Sequence, residues 1–124
     1  MLTQSEQLFI RFDDIDWEVA GPGIRRKVMA YGDNLMAVHA AFEQGAIGPL
    51  HTHPHVQITL VRKGVFAVQI GAERQVLREG DYFYVPSHVE HGGQALEETV
   101  LIDIFSPMRK EFVSPENAPS NTRV

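Results

Sequence analysis

Short apolar runs, separated by glycine, proline, aspartate and asparagine, follow one another through most of this 124-residue chain. Short runs bounded by turn residues are typical of β-strands, whereas a helix needs a longer stretch with a period of 3.6 residues. The runs predicted as strands are residues 25–31, 35–42, 57–62, 65–70, 74–78, 82–85 and 100–105. Many short strands without accompanying helices indicate an all-β sandwich or barrel.

The connections between these runs can be interpreted from their residues. The Gly-Asp-Asn sequence at 32–34 tolerates the positive φ of a tight turn and predicts a hairpin. Residues 44–50 hold two glycines and a proline and predict a loop. Ser106 followed by Pro107 is typical of an N-cap and a first helical residue, so a turn or two of helix is expected within 107–113.

Composition limits the partners and the kinds of site. The chain is 44% hydrophobic and 22% charged, and we interpret residues 1–113 as one domain followed by a polar, flexible tail at 114–124. A net charge of −5 provides no basic surface for nucleic acid. No apolar stretch is long enough to span a membrane and no basic, apolar leader is present, so we expect no membrane contact and a cytoplasmic location. Without cysteine, metal ligands must be imidazole, carboxamide or carboxylate groups.

Histidines alternate with other residues at His51, His53 and His55, and Gln57 continues the alternation. Successive side chains of a strand point to opposite faces, so this pattern predicts three imidazoles and a carboxamide on one face of one strand. Imidazole and amide groups on one face are a candidate metal site. A further donor, His91, follows later in the chain and is expected to come from a neighbouring strand.

The spacing of the glycines, histidines and proline resembles the two motifs of the cupin superfamily. Its first motif, G-x5-H-x-H-x3-E-x6-G, is similar to residues 45–64, and its second, G-x5-P-x-G-x2-H-x3-N, is similar to residues 80–95. Three positions depart from the motifs, with Gln57 in place of glutamate, His88 of glycine and Ala95 of asparagine. The resemblance covers about residues 30–106 and implies a compact antiparallel β-barrel or jelly roll, one bound metal ion and a homodimer.

The resemblance implies that the metal ligands are His51, His53, Gln57 and His91. This set suits Zn, Ni, Fe, Mn or Co, and the sequence does not distinguish among them. An amide in place of a carboxylate leaves more positive charge on the metal, which makes it a stronger Lewis acid toward an anion. His55 has no place in the motif and is expected at the rim of the site or behind the ligands.

The last predicted strand ends in Asp103-Ile104-Phe105-Ser106-Pro107-Met108-Arg109, which is the pattern D-x-F-[ST]-P-x-R. Together with glutamine among the ligands, this ending resembles the small pectin-degradation cupins, the KdgF-like proteins. The resemblance implies conversion of 4,5-unsaturated uronates, released by pectin or alginate lyases, to linear 5-keto-4-deoxyuronate. It also implies that Asp103, Phe105 and Arg109 are the catalytic residues lining the pocket.

These three side chains suit an anionic sugar. Arg109 can pair with a carboxylate, Asp103 can transfer a proton, and Phe105 can stack on the ring. Each also has a structural interpretation: Asp103 as the partner of a structural arginine, Arg109 as a solvated charge and Phe105 as a core aromatic residue. Two other functions fit the same motifs, namely a different metal-dependent cupin enzyme such as a dioxygenase or another isomerase, and a non-catalytic protein that binds a sugar or another small molecule.

Overall fold

The computed structural model describes residues 7–113, and ten β-strands account for nearly all the regular structure within them. The strands are β1 Glu18–Gly21, β2 Ile24–Gly32, β3 Leu35–Phe42, β4 Ile47–His51, β5 Val56–Lys63, β6 Val65–Ile70, β7 Glu73–Arg78, β8 Tyr82–Val85, β9 His91–Ala95 and β10 Thr99–Ser106. Two 3₁₀ helices, Phe12–Asp14 and Lys110–Phe112, flank the strands. The tail predicted at 114–124 lies outside the described residues.

The strands form two antiparallel sheets. The first sheet has six strands in the order β1-β2-β3-β10-β5-β8, and the second has four in the order β4-β9-β6-β7. Neighbouring strands are often distant in sequence, as in β3-β10-β5, which is typical of a jelly roll and not of a meander. The predicted all-β fold is confirmed. The described strands form two open sheets and no closed barrel, so the jelly roll is the alternative that fits.

The core lies between the two sheets and is built from alternate residues. Every second residue of β3 is buried, namely Met36, Val38, Ala40 and Phe42. β10 pairs with β3 on one side and with β5 on the other, and its inward residues Leu101 and Phe105 are buried as well. Each large apolar side chain fully buried here contributes about 1.5–3 kcal/mol. Because Asp103 shares the parity of Leu101 and Phe105, it lies on the same inward face.

The predicted hairpin is confirmed, because Gly32 pairs with Leu35 and leaves only two residues in the turn between β2 and β3. The loop predicted at 44–50 is wrong, since β4 begins at Ile47 within it. Pro49 lacks an N–H donor, but β4 is an edge strand paired only with β9, and the pairing is irregular between Gly48 and His51. An edge strand tolerates proline for this reason.

The helix predicted after Ser106 is also wrong at its beginning. Ser106 is the last residue of β10, where it pairs with Val56 of β5, and therefore it is not an N-cap. Only Lys110–Phe112 forms a 3₁₀ helix, with Arg109 in the N-cap position. Pairing across the sheet extends the strand further than the local Ser-Pro signal indicates.

Gly64 lets the chain pass from the first sheet to the second. It joins β5 to β6 with a φ of 96°, a conformation that side chains rarely adopt. A Cβ atom at this position would collide with the carbonyl of Glu98 and lie 2.5 Å from the hydroxyl of Thr99. The glycine that ends the first motif is therefore required by a backbone crossing.

The outer face of the first sheet is covered over part of its width. Lys27 of β2 is buried beneath the N-terminal segment, where its Nζ donates to the carbonyl of Phe12 at 2.8 Å. At the other side of the sheet Ile58, Tyr82 and Tyr84 are 49%, 64% and 55% exposed. We call these three residues the outer patch; Ile58 and Tyr84 are direct partners in the β5–β8 pairing. Among residues 7–113, no helix is long and apolar enough to cross a lipid bilayer.

Candidate metal centre and cavity

Three histidines meet between the sheets. His51 ends β4, His91 begins β9, and the two are paired across these strands. His53 comes from the connection between β4 and β5. The ring centroids of His51 and His53 lie 4.3 and 4.7 Å from that of His91, and 5.5 Å from each other. One ring nitrogen of each lies within 4.8 Å of the others, which allows all three to bind one ion.

The predicted single strand carrying these histidines is wrong. β4 ends at His51 and β5 begins at Val56, so the residues between them form a turn. His53 and Gln57 nevertheless reach the same place as His51, because β4 and β5 belong to different sheets and face each other across the interior. The bend gives a better convergence of ring nitrogens than a straight strand, along which alternate residues are about 7 Å apart.

Each of the three rings is oriented by a backbone carbonyl. The Nδ1 atom faces a carbonyl oxygen close in sequence, and the acceptors are those of Pro49 at 2.8 Å, His55 at 2.9 Å and Val89 at 2.9 Å. A carbonyl can only accept, so we assign the proton to Nδ1 in every ring. The lone pair then lies on Nε2, as in protein metal sites where a second contact fixes the tautomer. The Nε2 of His91 is buried without a hydrogen-bond partner, which fits a role as a metal ligand.

Gln57 is buried beside the histidines and its carboxamide is held at both ends. Its Oε1 lies 3.1 Å from Nε2 of His53, and its Nε2 donates to the hydroxyl of Thr59 at 2.9 Å. Asp103 lies on the same side, with Oδ1 at 3.4 Å from the amide nitrogen and 2.6 Å from the Thr59 hydroxyl. The amide oxygen is thus turned toward the three rings. It lies beside the unprotonated Nε2 of His53, so two acceptors face each other, and a bound cation would remove this unfavourable contact.

Burial changes the pKa of the titratable groups in this site. Desolvation lowers the pKa of His91 to about 4, and it also lowers the pKa of His53, with the charge of Arg109 as a further cause. Both rings therefore stay neutral at the pH of most cells, as metal ligands must. Desolvation raises the pKa of Asp103 to about 6, against the opposing effect of the hydrogen bond from Thr59.

A cavity of about 160 Å³ opens beside the histidines. Its inner part is apolar, and its polar wall is formed by His51, Gln57, His91, Asp103, Arg26 and Arg109. Phe105 also lines the cavity but is only 3% exposed, and its ring meets that of His53 edge-on at 5.7 Å. All the residues predicted from the two resemblances except His53 therefore line one cavity. Phe105 is as much a core residue as a cavity wall.

Arg109 is held between aromatic rings and a carboxylate. Its guanidinium carbon lies 5.0 Å from the ring centroid of Phe105 and 4.3 Å from that of Phe112. Its Nε and Nη2 both donate to Oε2 of Glu111, at 3.0 and 2.8 Å. One edge of the guanidinium is thus in use, and a bound anion would be recognised by the remaining N–H groups.

Three residues of the site were missed in the sequence. Thr59 could have been found from its parity with Gln57, since residues two apart on a strand share a face. Arg26 lines the cavity from β2, and its guanidinium carbon lies 3.8 Å from the ring centroid of Phe112. Phe112 is the third, and it lines the cavity from the 3₁₀ helix. Neither Arg26 nor Phe112 gave a local signal, because β2 and the 3₁₀ helix reach the site only through the tertiary fold.

The other histidines lie outside the cluster. His55 is buried behind His53, whose Nδ1 it orients through its carbonyl, and its own Nδ1 has no hydrogen-bond partner. His88 is exposed and has a positive φ of 64°. The left-handed backbone explains why the motif has glycine at this position.

Comparisons with known proteins extend the similarity to the whole domain. Residues 38–105 match the family model described as a cupin domain. A curated relative, the pectin degradation protein KdgF of Dickeya dadantii (strain 3937), is 44% identical over 103 residues, which are 82% of this chain and 94% of that protein.

Two solved structures are similar over nearly their full length. KdgF from Halomonas sp. is 41% identical, with a TM-score of 0.82 over 86% of this chain and 98% of that chain. An RmlC-like cupin from Shewanella frigidimarina NCIMB 400 is 38% identical, with a TM-score of 0.86 over 90% of this chain and 100% of that chain.

Proposed function

This chain belongs to the cupin family, and from that premise we propose that it is an isomerase-type metalloenzyme converting 4,5-unsaturated uronates to linear 5-keto-4-deoxyuronate. The observation that carries the proposal is the single cavity shared by the histidine cluster, Asp103 and Arg109. A relative at 44% identity that is named for pectin degradation supports the same substrate class.

Arg109 binds the carboxylate of the substrate. An unsaturated uronate carries a carboxylate, and a net charge of −5 on the protein would repel it without a local cation. The N–H groups of Arg109 that do not contact Glu111 donate to that carboxylate. Packing against Phe105 and Phe112 fixes the guanidinium plane, which reduces the entropy lost on binding.

Asp103 transfers the proton of the reaction. Its carboxylate accepts the proton of the anomeric hydroxyl, the bond from the anomeric carbon to the ring oxygen breaks, and an aldehyde and an enolate form. The same proton is then delivered to C4 as the enolate becomes the ketone, so no other reactant is consumed. A pKa of about 6 suits a group that must both accept and donate near neutral pH. Its Oδ1 contacts Thr59 and Gln57, which leaves Oδ2 for the substrate.

The donor set fits a divalent metal ion. His51, His53, His91 and Gln57 would hold it through three imidazole nitrogens and the amide oxygen, and Zn, Ni, Fe, Mn and Co are all compatible with these ligands. When bound, the ion supplies positive charge that stabilises the oxygen anion of the opening ring. The apolar inner wall of the cavity excludes water and strengthens that electrostatic stabilisation.

The test is the ultraviolet absorbance of the C4=C5 enol ether in a 4,5-unsaturated monouronate. Metal-replete protein should remove this absorbance faster than the spontaneous rate, with the open-chain product identified by NMR. The double variant His51→Ala, His53→Ala should lose the acceleration, and Asp103→Asn should lose it while keeping the metal. Acceleration that survives in both variants, or none in the wild type, would overturn the proposal. In the second case oxygen uptake by the Fe(II)-loaded protein would test the dioxygenase alternative.

We also propose that the chain is a homodimer joined through the outer patch. Ile58, Tyr82 and Tyr84 form an exposed apolar surface on a sheet face whose other side is already covered by the N-terminal segment. A patch that packs on its own symmetry copy is the simplest way to bury it. Light scattering should give a dimer for the wild type and a monomer for Ile58→Lys, Tyr84→Lys; a monomeric wild type would exclude this assembly.

A further inference from the structure

We propose that Thr59 is a positioning residue that fixes the carboxamide of Gln57 with its oxygen facing the histidine cluster. The inference rests on the metal centre of the proposed function and concerns a residue that reaches neither the metal position nor the cavity. Thr59 lies between Gln57 and Asp103 and contacts both.

The direction of the hydrogen bonds follows from counting protons. A threonine hydroxyl has one proton and two lone pairs, and an ionised carboxylate has only acceptors. The hydroxyl of Thr59 lies 2.6 Å from Oδ1 of Asp103 and must donate there. Its lone pair is then available only to a donor, which is the Nε2 of Gln57 at 2.9 Å. The carboxamide can satisfy this contact in one orientation only, with Oε1 toward His53.

The fold leaves no substitute for this hydroxyl. Thr59 is fully buried, so water cannot take its place. It is the direct partner of Asp103 in the β5–β10 pairing, and it has the parity of Gln57 on β5. The contact between Gln57 and Asp103 at 3.4 Å is too long to hold the amide alone.

The orientation matters because the two ends of a carboxamide have opposite properties. The oxygen binds a cation, whereas the NH₂ group carries only donors and cannot bind one. If the amide rotates freely between its two orientations, part of the population presents NH₂ to the cluster and lacks one ligand. Thr59 therefore acts on the metal through Gln57, as partners of ligands commonly do.

The experiment compares Thr59→Val, which keeps the shape, with Thr59→Ser, which keeps the hydroxyl. Zn²⁺ affinity is measured by competition with a chromogenic chelator, and the visible spectrum of the Co²⁺-loaded protein reports the ligands. We expect about a 10- to 100-fold loss of Zn²⁺ affinity and an altered Co²⁺ spectrum in Thr59→Val, with affinity restored in Thr59→Ser. Thermal unfolding of the metal-free proteins verifies the fold, and Thr59→Ala replaces Thr59→Val if that variant unfolds.

A double-mutant cycle separates positioning from general packing. In the Gln57→Ala background the same change at Thr59 should cost no further Zn²⁺ affinity, because the group on which it acts is gone. An equal loss with and without Gln57, or an unchanged affinity in Thr59→Val, would overturn the inference. Zn²⁺ binding is measured without sugar, so a wild type that binds zinc but converts no uronate would overturn the proposed reaction and leave this inference standing. A wild type that binds no zinc would overturn both.

Discussion

Exchange of Gln57 for glutamate tests the electrostatics of the site most directly. In the wild type the amide nitrogen of Gln57 lies 3.4 Å from Oδ1 of Asp103 and 2.9 Å from the hydroxyl of Thr59. Glutamate would place a second carboxylate oxygen where a donor now lies. The single proton of Thr59 is already directed to Asp103, so the new oxygen would have no donor of its own.

The cost can be worked out from that distance. Two unit charges 3.4 Å apart repel each other by about 5 kcal/mol at an effective dielectric constant of 20. A buried pair of carboxylates avoids such a cost by holding one proton between them, so the upper apparent pKa of the pair rises. With that proton the pair carries one negative charge, as Gln57 and Asp103 do in the wild type.

Metal affinity should therefore depend on pH in the variant in a way that the wild type does not. We expect Gln57→Glu to bind Zn²⁺ with wild-type affinity while the shared proton is retained, and more tightly by about tenfold per pH unit as that proton is displaced. Calorimetry in buffers of different ionisation enthalpy should detect about one extra proton released per metal. Uronate turnover should fall at neutral pH, because Asp103 no longer carries a free charge.

The matched control exchanges the two groups. Asp103→Asn in the Gln57→Glu background returns one carboxylate and one amide to the pair, and it should restore the stability of the metal-free protein at high pH. Turnover should stay low in this double variant, since the proton-transferring carboxylate is absent. Equal proton release by wild type and Gln57→Glu, or no gain in stability from Asp103→Asn, would refute the reasoning.

Three further changes test other parts of the structure. Burial lowers the pKa of His91 from 6.5 to about 4, so between these pH values the unfolded chain binds more protons than the folded one, and the metal-free protein should gain stability as pH rises. Urea unfolding should show a smaller increase of unfolding free energy with pH in His91→Asn, whereas an equal increase would contradict this. In Gly92→Ala the new Cβ would lie 2.7 Å from the carbonyl oxygen of Gly48. The free energy of unfolding, measured by thermal unfolding, should fall by about 1–3 kcal/mol, and Zn²⁺ binding should weaken. Gly21→Ala, where a Cβ has room, should change neither. Arg109→Lys keeps the charge but loses the planar fork, so KM for the uronate should rise about tenfold with a smaller change in kcat; the opposite split would argue against a binding role.

The fold could be predicted from the sequence because its strand signals are local. Alternation and turn residues gave seven of the strands within one residue at each end, and the resemblance to the cupins is confirmed by the family match. Three strands were missed. β1 is only four residues long, and β4 and β9 are rich in glycine and proline. Gly92 and Gly93 must be glycine because the neighbouring backbone and the ring of Phe66 leave no room for a Cβ. This requirement comes from tertiary packing, so the local sequence does not reveal it.

The site was predictable only where the motif names its residues. His51, His53, Gln57 and His91 converge as expected, although through a bend between sheets and not along one strand. The contacts that orient these side chains were not visible beforehand. A backbone carbonyl near each ring and a hydroxyl on the far side of Gln57 become neighbours only through tertiary pairing.

The candidate ligands are divided between the two sheets, with His51 and His91 on the second and Gln57 on the first. An ion held by all of them would link the two sheets at the histidine cluster. Metal loss should therefore increase local opening near the histidines more than in the apolar core. Amide hydrogen exchange in β4 and β9 should accelerate in the metal-free protein, while the apolar end around Val61 keeps its protection. An ion at this position would thus cross-link the two sheets in addition to its proposed part in the reaction.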